Sequence, residues 1–387
     1  MFVFAPEDFP TWSSVAVYLR DLRMAIPPVI SLLEIANVWW TGDALFMTET
    51  AYPAALALAF LLPILLNRRS PVALLASFAT AVILLTSAAA IHPGNPMVAD
   101  AYFPLFILLF VACLQRTILC TGSPGLRVPL AAGAGLCLTM AELTRPFLFP
   151  IVIYVAACAG AMLWTRSRRQ VIAFLIPLMV FTGGWHVHQA WRFGQLTWSN
   201  HVGFNLIRAW PMVGAVPLAP EPGNAPLAPG RDPNINTGEH FDNSQRLTRA
   251  VVQFVRHNPV TAIKHAIRRV QALVIQVRTG IYSHDPNHPV FRFYRPTVWI
   301  LSGLLLANVI ALGTALVRAP GSALRLLAAP YNLLIAVTAY SIIVMAVGDA
   351  SEEARFLISV LPLLAAAARI PWSPLDMATD TERHARH

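Results

Sequence analysis

Between Arg295 and Arg318 runs PTVWILSGLLLANVIALGTALV (296–317), a stretch without one ionisable side chain. As a helix it would rise about 33 Å at 1.5 Å per residue, enough to cross the ~30 Å hydrocarbon layer of a bilayer. Its flanking arginines fit the polar headgroups on either side. The rest of the chain has the same character: of 387 residues, 56% are hydrophobic and 12% charged, and the mean hydropathy is +0.58. A water-soluble domain carries about a quarter charged residues, so water is not the main solvent of this surface.

Further apolar runs at 51–66, 71–91, 101–115, 128–143, 146–164, 170–187, 328–348 and 356–369 bring the total to about nine crossings of an all-α polytopic membrane protein. Pro and Gly punctuate the turns, as at Pro71, Pro93, Pro124, Pro146 and Pro320. Arginine falls in alternate loops: Arg68 and Arg69; Arg116 and Arg127; Arg166, Arg168 and Arg169; Arg318 and Arg325; and the tail Arg383 and Arg386. Those loops are expected to be cytoplasmic, so 92–100, 142–146, 188–295 and 349–355 face outward. The net charge of +9 is thus a topology signal. Nucleic-acid binding is excluded, because the arginines end apolar runs instead of forming a polar face with interleaved aromatics. Cys113, Cys120, Cys137 and Cys158 have no CxxC pairing and read as packing residues.

This alternation leaves 1–50 outside with no span ahead of it. Either the N-terminus is exported unaided, or an opening helix ending at Phe2–Ala5 is missing; the second account is preferred because Arg20 and Arg23 would need a span to carry them across, which makes about ten helices. The expected organisation is an exterior first loop (1–50) with an interfacial helix at 27–40, spans over 51–187, an exterior loop over 188–295, spans over 296–370 and a cytoplasmic tail. Within the long loop, apolar residues recur at helical spacing over 244–278 among Arg249, Arg256, Lys264, Arg268 and Arg269, with a break at Asn258-Pro259. This basic amphipathic pair is expected to lie on the membrane.

Charges near a membrane surface carry the functional information, since a charge in lipid costs several kcal/mol unless paired or wet. Glu7 and Asp8 offer a rim carboxylate that could take a proton from an attacking hydroxyl, or simply a solvated terminus. Asp100 begins a span, where a carboxylate also caps a helix dipole. Glu142-Leu-Thr-Arg145-Pro146 puts a carboxylate and a guanidinium at a tight outward turn: Arg145 suits a phosphate, or Glu142 neutralises it. Asn200, His201, Gly203 and Asn205 lie among aromatics, a mixture that suits sugar hydroxyls and ring faces and equally an interfacial loop. Asp349, Glu352, Glu353 and Arg355 open the last span. His284, Asp285 and His288 are metal-ligand types, but Pro286 breaks helical spacing and no further His or Cys completes a shell. A divalent metal is therefore an open alternative and no cofactor is assigned. His186 and His188 are expected to point apart in an extended chain. No Walker loop, GxGxxG or GxSxG elbow occurs.

Four stretches, in order, resemble the GT-C superfamily of glycosyltransferases, polytopic enzymes that use polyprenyl-phosphate sugars and include protein O-mannosyltransferase-like and aminoarabinose-transferase-like members. They are Pro27-Pro28 opening a short apolar helix; Ala141-Glu142-Leu143-Thr144-Arg145-Pro146; Arg192-Phe193-Gly194 followed by Ser199-Asn200 and Gly203-Phe204-Asn205-Leu206; and Glu353-Ala354-Arg355-Phe356 before Leu361-Pro362. The resemblance implies sugar transfer with inversion, from a polyprenyl-phosphate donor to an unknown glycan, lipid or protein acceptor, on the exterior face of an inner (plasma) membrane. It also implies an aspartate base at the end of the first helix. Its nearest match is Glu7-Asp8, in reversed order, giving Asp8 (or Glu7) as the base and Asp100 as the second-loop acid. Arg145 and Arg355 are candidates for the carrier phosphate on charge and position. Rival classes are a flippase or transporter of lipid-linked sugars and a truncated, inactive paralogue.

Overall fold

The computed structural model describes residues 28–42, 50–66, 75, 98–119, 124–194, 199, 201–219, 238–276, 289–348 and 353–368, and among them every regular element is helical. In chain order these are α1 (Pro28–Thr41), α2 (Tyr52–Leu66), α3 (Val98–Leu119), α4 (Pro124–Thr144), α5 (Phe149–Trp164), α6 (Arg168–Pro177), α7 (Gly184–Phe193), α8 (Val202–Ala209), α9 (Gly238–His257), α10 (Pro259–Gln271), α11 (Pro289–Arg318), α12 (Ala323–Ala328), α13 (Pro330–Gly348) and α14 (Glu353–Ala367). A π-helical turn, Leu178–Gly183, joins α6 to α7 without a break.

Among the described residues, five helices are long and apolar enough to cross a membrane: Tyr102–Leu119, Gly125–Thr144, Arg168–Trp191, Pro296–Arg318 and Pro330–Gly348. The expected runs at 51–66, 146–164 and 356–369 appear as the shorter apolar helices α2, α5 and α14. All but Leu75 of the expected run at 71–91 lies outside the described residues. Phe110 against Phe174, with ring centroids 6.5 Å apart, marks where α3 and α6 meet in a core also built from α4, α5, α13 and α14. Tyr102–Leu119 and Pro330–Gly348 are 56% and 61% buried within the protein, whereas Arg168–Trp191 and Pro296–Arg318 are 28% and 22% buried. The latter pair is peripheral, and its exposed Met179, Val180, Phe181, Leu306 and Ile310 would be solvated by lipid tails.

Two pairs of contacts mark the ends of the bundle. At one end, Arg166 Nη1 donates to the Ile118 carbonyl at 2.8 Å and the Arg168 guanidinium lies 5.2 Å from the Trp164 ring centre. Burial, and then the nearby Arg127, lower the Arg166 pKa. Arg116, Arg318 and Arg325 close helices that end on this side. At the other end the Phe103 and Phe147 rings are 6.0 Å apart and Tyr340 Oη donates to the Phe147 carbonyl at 2.8 Å. The start of α3, the turn after α4 and the C-terminal half of α13 therefore meet at the end away from Arg166 and Arg168.

Two expectations change. The span placed at 170–187 continues as helix to Phe193, because nothing in WHVHQAWRF breaks it until Gly194 turns left-handed at φ 68°. The long connecting segment also gains α8, and its amphipathic pair starts earlier, at Gly238, while the break falls at Asn258-Pro259 as expected.

Helix α4 lies so close to α6 that a Cβ at Gly135 would overlap the backbone carbonyl of Phe174. Gly135→Ala should therefore lower the melting temperature of the detergent-solubilised protein, a loss of about 1–3 kcal/mol by overpacking. Gly133→Ala, whose Cβ would rest 3.7 Å from Cys113 Sγ, should leave the melt unchanged.

Candidate functional site

Helix α4 ends where Pro146 removes a backbone donor and disfavours helical geometry at the preceding residue. The Arg145 N–H donates to the carbonyls of Ala141 (3.1 Å) and Glu142 (3.0 Å), and the Arg145 carbonyl accepts from Leu148 N–H at 3.0 Å, making a single 3-10 turn over Pro146–Leu148. The turn sets the half-buried Arg145 one helical turn beyond Glu142.

Glu142 is not a rim residue. It is 1% exposed, and its Oε1 is 2.8 Å from Nε2 of His186, itself 4% exposed. The His186 ring also packs against Phe149, with centroids 4.3 Å apart. The carboxylate thus pairs across α4 and α7 with an imidazole. The pair is surrounded by polar side chains on the same faces: Thr139 (0% exposed) one turn before Glu142, and Thr182 (6%) and Gln189 (0%) one turn either side of His186. Among the described residues, Thr139 Oγ1, Glu142 Oε2, Thr182 Oγ1, His186 Nδ1 and both Gln189 amide atoms have no hydrogen-bond partner within the chain.

The inward face of this helix advances through Phe174, Leu178, Thr182 and His186 in steps of four, wider than the 3.6 residues of an α-helical turn. The π-helical turn Leu178–Gly183 supplies the extra residue and keeps Thr182 and His186 turned to α4. His186 and His188 are therefore neighbours on a helix, one buried and one half-exposed, and not alternate positions of an extended chain.

A second polar group lies on the segment beyond α7. His201, Phe204 and His240 stack, with centroids 5.1, 4.5 and 5.4 Å apart, and His201 Nδ1 lies 3.3 Å from His240 Nε2. Gly203 permits this contact: its N–H donates to Ser244 Oγ at 3.0 Å, and a Cβ there would overlap the Ser244 carbonyl. Asn243 clamps the backbone of Ala219 through both amide atoms, at 2.8 and 2.9 Å. Asn205 is half-buried on α8 beside the stack. This unit is tied to α13, where Trp210 Nε1 donates to the Val347 carbonyl at 2.8 Å and Arg269 Nε to the Ala346 carbonyl at 3.0 Å, and it is tied within itself by His265 Nε2 of α10, which donates to the Ala209 carbonyl of α8 at 2.7 Å.

The backbones of Asp100 at the start of α3, and of Glu353 and Arg355 at the start of α14, are helical, while their side chains lie outside the described residues. Glu7, Asp8, Asn200, His284, Asp285 and His288 also lie outside them. Among the described residues no group of His, Cys, Asp and Glu could hold a metal. Sequence reading named Glu142 but missed its partners; the signal was there in Thr182 and His186 inside the apolar run 170–187 and in Gln189 just beyond it, polar residues at helical spacing. No protein-family model, curated protein or solved structure matches the chain.

Removing one member of the buried pair strands the other in an apolar setting, which costs about 3–5 kcal/mol. Glu142→Leu and His186→Leu should each lower the melting temperature sharply. The double variant should be more stable than either, a non-additivity that a thermal double-mutant cycle measures.

Proposed function

We propose that the chain is a membrane glycosyltransferase that moves a sugar from a polyprenyl-phosphate donor to an acceptor hydroxyl, with inversion, on the exterior face of the inner membrane. The observation that carries this reading is the convergence of the Arg145 turn, the start of α3 with Asp100, and the α8–α10 unit at the end of the bundle away from the arginine-rich loops. An enzyme whose donor is embedded in lipid needs such a rim: polar groups at headgroup depth, with apolar helix faces below for the carrier tail. About nine spans accompany this reading, with α2, α5, α14 and residues 71–91 crossing as well.

In this mechanism Asp8, or Glu7, takes the proton of the acceptor hydroxyl as its oxygen attacks the anomeric carbon, and Asp100 assists as second acid. Arg145 and Arg355 stabilise the charge that grows on the departing phosphate, an effect that accelerates the step because it is stronger in the transition state. Asn200, Asn205, Glu353 and Glu142 contact sugar or acceptor. The second reading, a flippase of lipid-linked sugars, is favoured by the Glu142–His186 pair, since ionisable side chains inside a bundle often mark a transport path.

Purified protein in nanodiscs with a labelled polyprenyl-phosphate sugar should release polyprenyl phosphate, and Asp8→Asn and Arg355→Ala should each reduce release about a hundredfold or more. Movement of intact donor across liposomes without release would select the flippase. Wild-type release by both variants would remove the site assignment.

A further inference from the structure

We infer that the end of the bundle where α3 stops and α4 and α6 begin is a binding site for a phospholipid of net negative charge, its phosphate held between Arg127 and Arg166. Helices α4 and α6 approach backbone to backbone where Gly135 meets Phe174. Arg127 precedes Gly135 by as many residues as Arg166 precedes Phe174, so two helices running side by side from that contact bring both guanidinium groups to one level. They do come together there: burial first, and then the charge of Arg127, lower the Arg166 pKa.

Like charges pressed together repel, and the helix ends around them supply no carboxylate. Residues 113–133, 160–180 and 311–330 contain no Asp or Glu. Arg166 Nη1 donates to the Ile118 carbonyl at 2.8 Å, which anchors the guanidinium against α3. A guanidinium has five N–H donors in a planar fork that matches a phosphate, so one bond to a carbonyl leaves most of the fork for an anion. An anion seated between the two cations turns their repulsion into attraction.

The surroundings make that anion part of a lipid. Trp164 ends α5 with its indole 57% exposed, and the Arg168 guanidinium lies 5.2 Å from its ring centre. An exposed indole beside a cation belongs at the depth of the headgroups. From Arg168 a single stripe of exposed apolar side chains, Ile172, Ile176 and Val180, runs down the peripheral face of α6 and the turn after it. A headgroup at the arginines would lay its acyl chains along this stripe. Basic pockets between spanning helices are the setting in which anionic headgroups bind. A diffuse attraction of basic loops to a charged surface would act equally at the exposed Arg318 at the end of α11, whereas a built site depends on Arg127 and Arg166.

The test is native mass spectrometry of the full chain in a non-ionic detergent, titrated with phosphatidylglycerol or phosphatidylcholine. The first phosphatidylglycerol should bind about tenfold or more tighter than phosphatidylcholine. Arg127→Gln and Arg166→Gln should each reduce that preference to within about twofold, whereas Arg318→Gln should keep it. Arg127→Lys, which keeps the charge and loses the fork, should weaken phosphatidylglycerol binding about threefold or more. Arg166 also holds α3, so if Arg166→Gln fails to fold, the two Arg127 variants decide. A phosphatidylglycerol with a diazirine in its acyl chain should label the peptide holding Ile172 and Ile176, and glycerol 3-phosphate in large excess should not displace the lipid. Equal binding of the two lipids, a preference that survives Arg127→Gln in a folded protein, an equal loss in Arg318→Gln, or labelling spread evenly over the spans would overturn the site. Displacement by glycerol 3-phosphate would overturn it in favour of a site for soluble phosphate.

Discussion

A carboxylate and an imidazole held together in a medium without water set the terms for this end of the molecule. Neither Glu142 nor His186 can be solvated where it sits, so each depends on the other and on the helices that hold them at 2.8 Å. That distance in turn depends on α4 and α6 approaching at Gly135 and on the wide turn at Leu178–Gly183 that keeps His186 facing its partner. Electrostatics and backbone geometry are thus one problem: a side chain at Gly135 would separate the helices and weaken the pair some distance along.

The charge distribution along the bundle follows the same logic at larger scale. Arginines gather at the ends of helices on one side, where Arg166 reaches the Ile118 carbonyl and Arg168 lies over Trp164, both able to keep their cationic heads in water. The opposite end is held by aromatic and neutral contacts, Phe103 on Phe147 and Tyr340 on the Phe147 carbonyl. A bundle polarised in this way has a preferred orientation in a membrane.

The helical, membrane-type architecture was legible because apolar length and arginine placement are signals on the scale of whole helices. Breaks at Pro146 and at Asn258-Pro259 were legible for a local reason, the missing donor and ring of proline. The site was less so. Glu142 looked like a surface charge because it stands three residues from Arg145 in a turn. Only packing against a helix forty-four positions later in the chain shows it buried. Gln189 and His188 read as loop because the apolar run weakens after Val187, though the helix is carried on to Phe193 by amphipathic pattern alone. The His201–Phe204–His240 stack joins segments separated by a Pro and Gly rich loop, a pairing that no local pattern announces.

The last carbonyls of a helix have no partner inside it. In α13 two of them, Ala346 and Val347, are taken by side chains from the segment beyond the bundle, Arg269 on α10 and Trp210 after α8. Since His265 also ties α10 to the Ala209 carbonyl, these elements form a yoke across the tip of one buried span. A tilt of α10, whose Ile263 and Ile267 are exposed, would therefore be carried to that tip. The yoke makes the position of α10 and the end of α13 one mechanical variable.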